Sequence, residues 1–314
     1  MTDATESRLP GLTSPTVARR WLGREMRRRR LAAGLSEKDT ADALRSTASK
    51  VSYTESGKHS FKPRDLTEVL LPLYGVPEEE WPPLLEACRR SRTRGWWQTY
   101  DEEIVPDWLA RYIGLEQGAS SLRSWEALYP HGLLQTERYA EALMRHELAR
   151  FSDDEVEARL EVRMHRRSVL TREGAPLEAH FILDEAILRR VVGGPEVMVD
   201  QLEHLAEAAA LPNVTLQVLP FSRGPHPDFS GSFTILGFGW DDMDGSGGSS
   251  AVYVEGRISA DFLERGPEVQ DHEIVFDQLA HLALPPDESI DLVRAVATEF
   301  ILQSKSESSM EPHP

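Results

Sequence analysis

The sequence predicts two parts, a mainly α N-terminal head of five helices and a larger α+β C-terminal domain. Three observations carry this. The chain has 314 residues, more than one compact module of ~100–200 residues needs. Up to about residue 93, caps, breakers and 3.6-residue apolar spacing mark helices only. Beyond Trp96 helical stretches mix with period-2 strands without a steady βαβ rhythm. The expected layout is a disordered tail over 1–18, the head over 19–93, the α+β domain over 96–303 and a polar, disordered tail over 304–314.

In the head, a helix is expected from about Thr16 to Ala33, with Trp21, Leu22 and Met26 on one side and Gly34 ending it. Ser36 with Asp39 three residues on reads as an N-cap, opening a helix through Ala41 and Leu44. After a short break at Arg45-Ser46, Thr47 starts another, with Val51 and Thr54 inside. Pro63 is a good first helical residue, and Leu66, Val69, Leu70 and Leu73 follow at i, i+3, i+4 and i+7. Pro77 opens the last helix, which carries Trp81, Leu84, Leu85 and Cys88 into a basic link ending at Gly95. In the second part, helices are expected near 107–117, 136–148, 153–172, 184–192, 195–210, 267–283 and 287–303, and strands at 120–126, 177–183, 214–219, 231–238 and 251–256. Asp241–Ser250 reads as a Gly/Ser/Asp loop.

Composition narrows the function classes. No stretch approaches the ~18–20 apolar residues of a membrane helix, the N-terminus lacks a secretory pattern, and no membrane partner is expected. The single cysteine, Cys88, excludes an internal disulfide and any two-cysteine metal site. A cytoplasmic, nucleoid-associated protein is expected. Net charge is −17, which by itself argues against binding nucleic acid. The charge is uneven, however. Between Arg19 and Gly75 there are 13 basic and seven acidic residues, so this window is +6 and the remainder −23. A basic head on an acidic body is the asymmetry to explain.

The element order from Leu22 to Tyr74 is that of a helix-turn-helix head. The helix starting at Thr47 is the one sized for the major groove, while the helix starting at Ser36 crosses the phosphate backbone. Both helix N-termini suit phosphate. Expected contacts to double-stranded DNA are Ser36, Lys38, Thr47, Ala48, Ser49, Lys50, Ser52, Tyr53 and Lys58.

Leu22-Gly23-Arg24, Arg30, Ala33-Gly34-Leu35-Ser36, Ser49-Lys50-Val51-Ser52, Glu55-Ser56-Gly57-Lys58 and Leu73-Tyr74-Gly75-Val76 resemble the XRE/Cro-repressor-like helix-turn-helix family. Arg94-Gly95-Trp96-Trp97, Val105-Pro106-Asp107-Trp108, Gly132-Leu133-Leu134-Gln135-Thr136, the run from Asn213 to Phe221 and Gly231-Ser232-Phe233 resemble the long C-terminal domain of actinomycete WhiJ-like (Scr1-type) regulators. The resemblance covers roughly residues 19–303. It implies a DNA-binding transcription factor, often antagonised by a small partner protein encoded nearby. It also implies that Arg30 pairs with Glu55 as a structural contact. The head departs from the family pattern at Glu37 (commonly Gln, on a phosphate), Arg45 (usually a turn glycine), Ala48 (commonly polar) and Tyr53 (commonly basic). Arg29, Ser46 and Thr54 occupy positions that are often apolar. Positive φ at Arg45 would cost about 1 kcal/mol.

Other signals are weaker. The run Arg27–Arg30 spans all sides of a helix and reads first as a solvated face. Trp96, Trp97, Tyr100 and Trp108 suit either a ligand cage or, more commonly, a hydrophobic docking seam. His226 and Asp228 resemble half a metal or acid–base site without a second ligand, and Asp184-Glu185 and Asp241-Asp242 lack the calcium-loop pattern. Phe229-Ser230-Gly231-Ser232 is a serine near glycines without a His/Asp partnership. Walker A, G-x-G-x-x-G, H-E-x-x-H and G-x-S-x-G motifs are absent, so no enzyme, cofactor or metal is expected. The expected function is a sequence-specific transcriptional regulator acting as a homodimer, whose C-terminal domain self-associates and senses a partner or ligand. The alternative is an antitoxin-like protein that binds a small partner and autoregulates its operon.

Overall fold

The structure, a computed structural model, describes residues 12–147, 151–228, 231–240, 249–256 and 259–308. The serine of Phe229-Ser230-Gly231-Ser232, Asp241-Asp242, most of the Asp241–Ser250 loop and the outer parts of both expected tails lie outside them. The architecture is a helical helix-turn-helix region followed by a domain of helices around a six-stranded mixed sheet. The chain divides into two units. The first is Met1–Asp101, Pro106–Ala119 and Phe238–Asp241, and the second Glu102–Val105, Ser120–Gly237 and Asp242–Pro314.

In the first unit α1 spans Pro15–Ala32, within a residue of the helix expected from about Thr16 to Ala33, and so starts within the 1–18 stretch expected to be a tail. Ser14 caps it, accepting from the Thr16 amide at 3.2 Å and donating to the Gly114 carbonyl, and with Leu12 it is buried. A capped, buried start of this kind is why the helix begins inside the stretch expected to be a tail. α2 spans Glu37–Ala43 and α3 Ala48–Glu55. α4 (Pro63–Asp65) and α5 (Leu71–Leu73) are joined by a π turn over Leu66–Leu70, and α6 spans Trp81–Arg90.

The π turn corrects the expected inner face. Leu66, Leu70, Leu71 and Tyr74 are buried, while Leu73 is 38% exposed. Pro72 has no N–H and its ring clashes with the carbonyl four residues back, so the chain widens before it. The extra residue per turn rotates Leu73 outward.

α7 (Asp107–Gly118) packs on α1 in the same unit. Gly114 and Gly118 make this possible, because a Cβ at either would run into Thr16 or Val17. Trp97 is buried over Gly95 and Gly114, with Trp96 edge-on to it and to Tyr100. Trp108 is half-buried.

In the second unit the sheet order is β3-β2-β1-β4-β5-β6. The strands are β1 Ser121–Glu126, β2 Glu178–Asp184, β3 Val214–Leu219, β4 Phe233–Gly237, β5 Ser250–Glu255 and β6 Ala260–Leu263. β1, β2 and β3 are parallel, and β4, β5 and β6 continue antiparallel. β6 was not expected, since four residues are too short for a period-2 signal to stand out.

The helices are α8 Glu137–Glu147, α9 Asp153–Arg166, α10 Glu185–Arg189, α11 Pro195–Ala208, α12 Gly266–Leu282 and α13 Pro286–Ser308. The expected helix to 172 ends as α at Arg166 and tightens to a 3₁₀ turn over Arg167–Leu170. α13 runs past residue 303 to Ser308. One sheet face, with Trp125, Ile182, Phe233, Ile235 and Val252, packs on Val269, Phe276 and Leu279 of α12. His226 and Asp228 serve that core. Asp228 accepts from the Trp125 indole at 2.8 Å, and the His226 ring stands edge-on to it at 5.1 Å.

Candidate nucleic-acid interface

Local chemistry builds the motif. Ser36 accepts from the Asp39 amide at 3.1 Å, while the Asp39 carboxylate accepts from the Ser36 amide at 2.8 Å and its hydroxyl at 2.6 Å. These bonds hold the Asp39 carboxyl below the usual carboxylate range. Thr47 caps α3 by accepting from the Lys50 amide at 3.3 Å. Between the helices Arg45 has φ 49°, and it is the one non-glycine residue with positive φ among the described residues. An arginine stands in a conformation glycine adopts without strain, at a cost of about 1 kcal/mol.

α3 is seated by its inner face. Val51, Thr54 and Glu55 are buried, and the Thr54 hydroxyl donates to the Lys50 carbonyl at 2.8 Å. Arg30 grips Glu55 with two bonds, Nε–Oε1 at 2.7 Å and a terminal nitrogen to Oε2 at 2.8 Å. A third bond at 2.8 Å reaches the Leu35 carbonyl. The pairing lifts the Arg30 guanidinium above its ordinary pKa. Gly23 lets α1 come this close, since a Cβ there would overlap the Thr54 and Glu55 carbonyls.

The outer face is open. Thr47, Ala48, Ser49 and Lys50 are exposed, Ser52 is half-buried and Tyr53 is 48% exposed. Tyr53 is held on both sides, with Lys58 Nζ 5.1 Å from its ring centre and the His59 ring edge-on at 5.9 Å. Lys38 and Lys58 are exposed.

The basic count of the head overstates the free positive charge. Arg28 and Arg29 bind Glu25, Arg29 also binds Glu80, Arg30 binds Glu55 and Arg64 binds Glu68. Lys38, Arg45, Lys50, Lys58 and Lys62, by contrast, are exposed and have no ion pair among the described residues. Lys62 and Arg45 were not among the expected contacts. Lys62 lines a small cleft together with Lys50, Ser46 and His59, which places it beside α3. The signal for it was the basic loop Lys58–Lys62, read only at its first residue.

The two helix N-termini differ. At α2 the orphan amides face the chain's own Asp39 and Glu37, whereas the first turn of α3 holds no acid. A phosphate therefore meets a competing carboxylate at Ser36 and none at Thr47.

Residues 109–295 match the family described as a domain of unknown function (DUF5753). The chain belongs to this family. Ahead of that match, residues 21–84 of this DUF5753 chain match a helix-turn-helix domain. The match spans α2, the Arg45 turn and α3. The chain is thus a DNA-binding regulator by its N-terminal domain, and that domain points away from an enzyme. No curated protein and no solved structure matches the chain. Among the described residues no helix is long and apolar enough to cross a membrane.

Proposed function

We propose that this DUF5753 chain is a sequence-specific transcriptional regulator of the XRE type, similar to the WhiJ-like regulators, and that it reads DNA through α3 as a homodimer. One observation carries the reading. α3 turns Ala48, Ser49, Lys50, Ser52 and Tyr53 outward from a buried Arg30–Glu55 clamp, and its N-terminus is free of carboxylates. In the reading, Thr47, Ser49 and the α3 amides take a phosphate, while Lys50 and Tyr53 meet base edges. Lys38, Arg45, Lys58 and Lys62 hold the flanking backbone, and Ser36 contributes little because Asp39 already occupies its helix end. Two copies multiply affinity, because one small head buries little surface on half-sites ~34 Å apart. The C-terminal domain mediates self-association and senses a partner or ligand.

Anisotropy titration against the gene's upstream region at two salt concentrations tests this. Sequence-dependent binding that weakens steeply with salt is expected, with a slope shallower by about 1 for Lys62→Ala. Equal binding to unrelated DNA refutes it.

A second reading is an antitoxin-like protein, in which contact with a small partner is the main task and DNA binding is autoregulatory. It is favoured by Leu128, Val191 and Phe221, 57%, 56% and 57% exposed, which follow the three parallel strands. Co-purification of a neighbouring small gene product that survives Lys50→Ala separates the two readings.

A further inference from the structure

Inside the first unit, beside α3, lies a cavity of about 80 Å³. Its deep walls come from Thr40 of α2, Val51 and Thr54 of α3, Phe61, Leu70 and Tyr74, all of them buried. Leu44, Ser46 and Ser60 line it half-buried. Lys50, His59 and Lys62 line it exposed and so mark its mouth.

The walls are tied to the rest of the head rather than to each other. The Ser60 hydroxyl donates to the Ser91 carbonyl at 3.0 Å, and the Cys88 thiol donates to the Phe61 carbonyl at 3.5 Å. These bonds hold the loop before α4 back against α6. On the opposite side the Arg30–Glu55 clamp fixes the end of α3, and the 3.2 Å bond between Thr40 and Tyr74 fixes α2. The space is therefore preformed, which spares a ligand the cost of ordering its own site.

Chemistry changes from floor to mouth. The deep hydroxyls are already bonded within the chain, Thr54 to the Lys50 carbonyl at 2.8 Å and Thr40 to Tyr74. A polar group pushed down there would lose water for little return, whereas hydrocarbon against Val51, Phe61 and Leu70 gains. At the mouth Lys50 and Lys62 carry ammonium groups with no ion pair among the described residues, and His59 adds a ring N–H. Two carboxylates also line the cavity. Glu55 is held by Arg30, and half-buried Asp65 stands alone against the two lysines. An apolar pocket under two ammonium groups suits an anion with a small hydrocarbon body. A dry cavity of about 150 Å³ admits benzene, so about half that volume takes a body of about three or four carbons.

We propose that this cavity binds a short branched carboxylic acid, with its hydrocarbon in the pocket and its carboxylate against Lys50 and Lys62, and that the bound acid competes with DNA. The proposal rests on the reading of α3 given above and adds an effector to it. In that reading Lys50 meets base edges and Lys62 the flanking backbone. A carboxylate paired with both withdraws two of the cations that the duplex requires.

Amide NMR titration of the full chain with isobutyrate at neutral pH tests the pocket. Isobutyramide, which lacks the charge, and acetate, which lacks the body, are titrated alongside. Saturable shifts at Thr40, Val51, Phe61 and Tyr74 are expected with roughly millimolar isobutyrate, and binding at least about tenfold weaker with the other two. Leu44→Phe, which fills the pocket from a half-buried position, should weaken isobutyrate about tenfold. Lys62→Ala, an exposed change that does not depend on repacking, should weaken it by a similar factor. Absence of saturable shifts, isobutyramide binding as tightly as isobutyrate, or Lys62→Ala binding as tightly as wild type overturns the pocket. Anisotropy with the upstream DNA in saturating isobutyrate, against chloride at equal ionic strength, reads the competition. About tenfold weaker DNA binding is expected, and unchanged binding overturns the effector role. If isobutyrate saturates the pocket but no DNA sequence is preferred even without it, the pocket stands and the reading of α3 fails.

Discussion

Glu55→Ala tests whether α3 is held by the buried clamp or merely packs near it. Glu55 accepts two bonds from Arg30, at 2.7 and 2.8 Å, and the two side chains are 3% and 5% exposed. Without Glu55 the guanidinium keeps its bond to the Leu35 carbonyl but sits buried with no counter-charge. Breaking such a pair costs about 3–5 kcal/mol, whereas replacing both partners by apolar residues of similar volume is close to neutral. Amide hydrogen exchange on the full chain reads this locally. At about 1.4 kcal/mol per decade, exchange of the α3 amides should quicken by about 140- to 4,000-fold in Glu55→Ala. In the double variant Arg30→Met/Glu55→Leu most of that acceleration should vanish. A single-variant effect below tenfold, or a double variant worse than the single, refutes the clamp.

Arg45→Gly should stabilise the head by about 1 kcal/mol by relieving the positive φ, while shallowing the DNA salt slope by about 1; exchange in α2 and α3 and an anisotropy salt series check both. Gly118→Ala places a methyl against Val17 and Ser14 and should destabilise the first unit by about 1–3 kcal/mol, read by exchange in α1 and α7. Glu126 is held protonated in the fold to about pH 8, well above an unfolded glutamate. The folded state therefore binds more protons between those values, and stability falls as pH rises through that range. The melting temperature of Glu126→Gln relative to wild type should climb from pH 5 to pH 8 and level off above, and a flat difference would contradict the protonated carboxyl.

Much of the head was legible because its signals are local. Ser36 and Thr47 cap the helices they were expected to cap, and Arg45 occupies the turn conformation that a glycine would take. Most strands and helices of the second part fall within a few residues of their expected bounds, since period 2 and period 3.6 are written along the chain. The π turn at Leu66–Leu70 was hidden. Its apolar spacing fits an ordinary helix, and only the ring of Pro72 meeting its own helix shifts the phase.

By itself the sequence determined the element types, the caps and the presence of a helix-turn-helix, because each depends on hydrogen bonds and side-chain spacing within a few residues. Tertiary structure alone decided that Arg29 also reaches Glu80, that α7 packs with α1, and that Ser124, Glu126 and Thr234 meet at the point where the strand order reverses. Such pairings join residues up to 110 positions apart, and no local periodicity encodes which distant partner a strand or a charge will find.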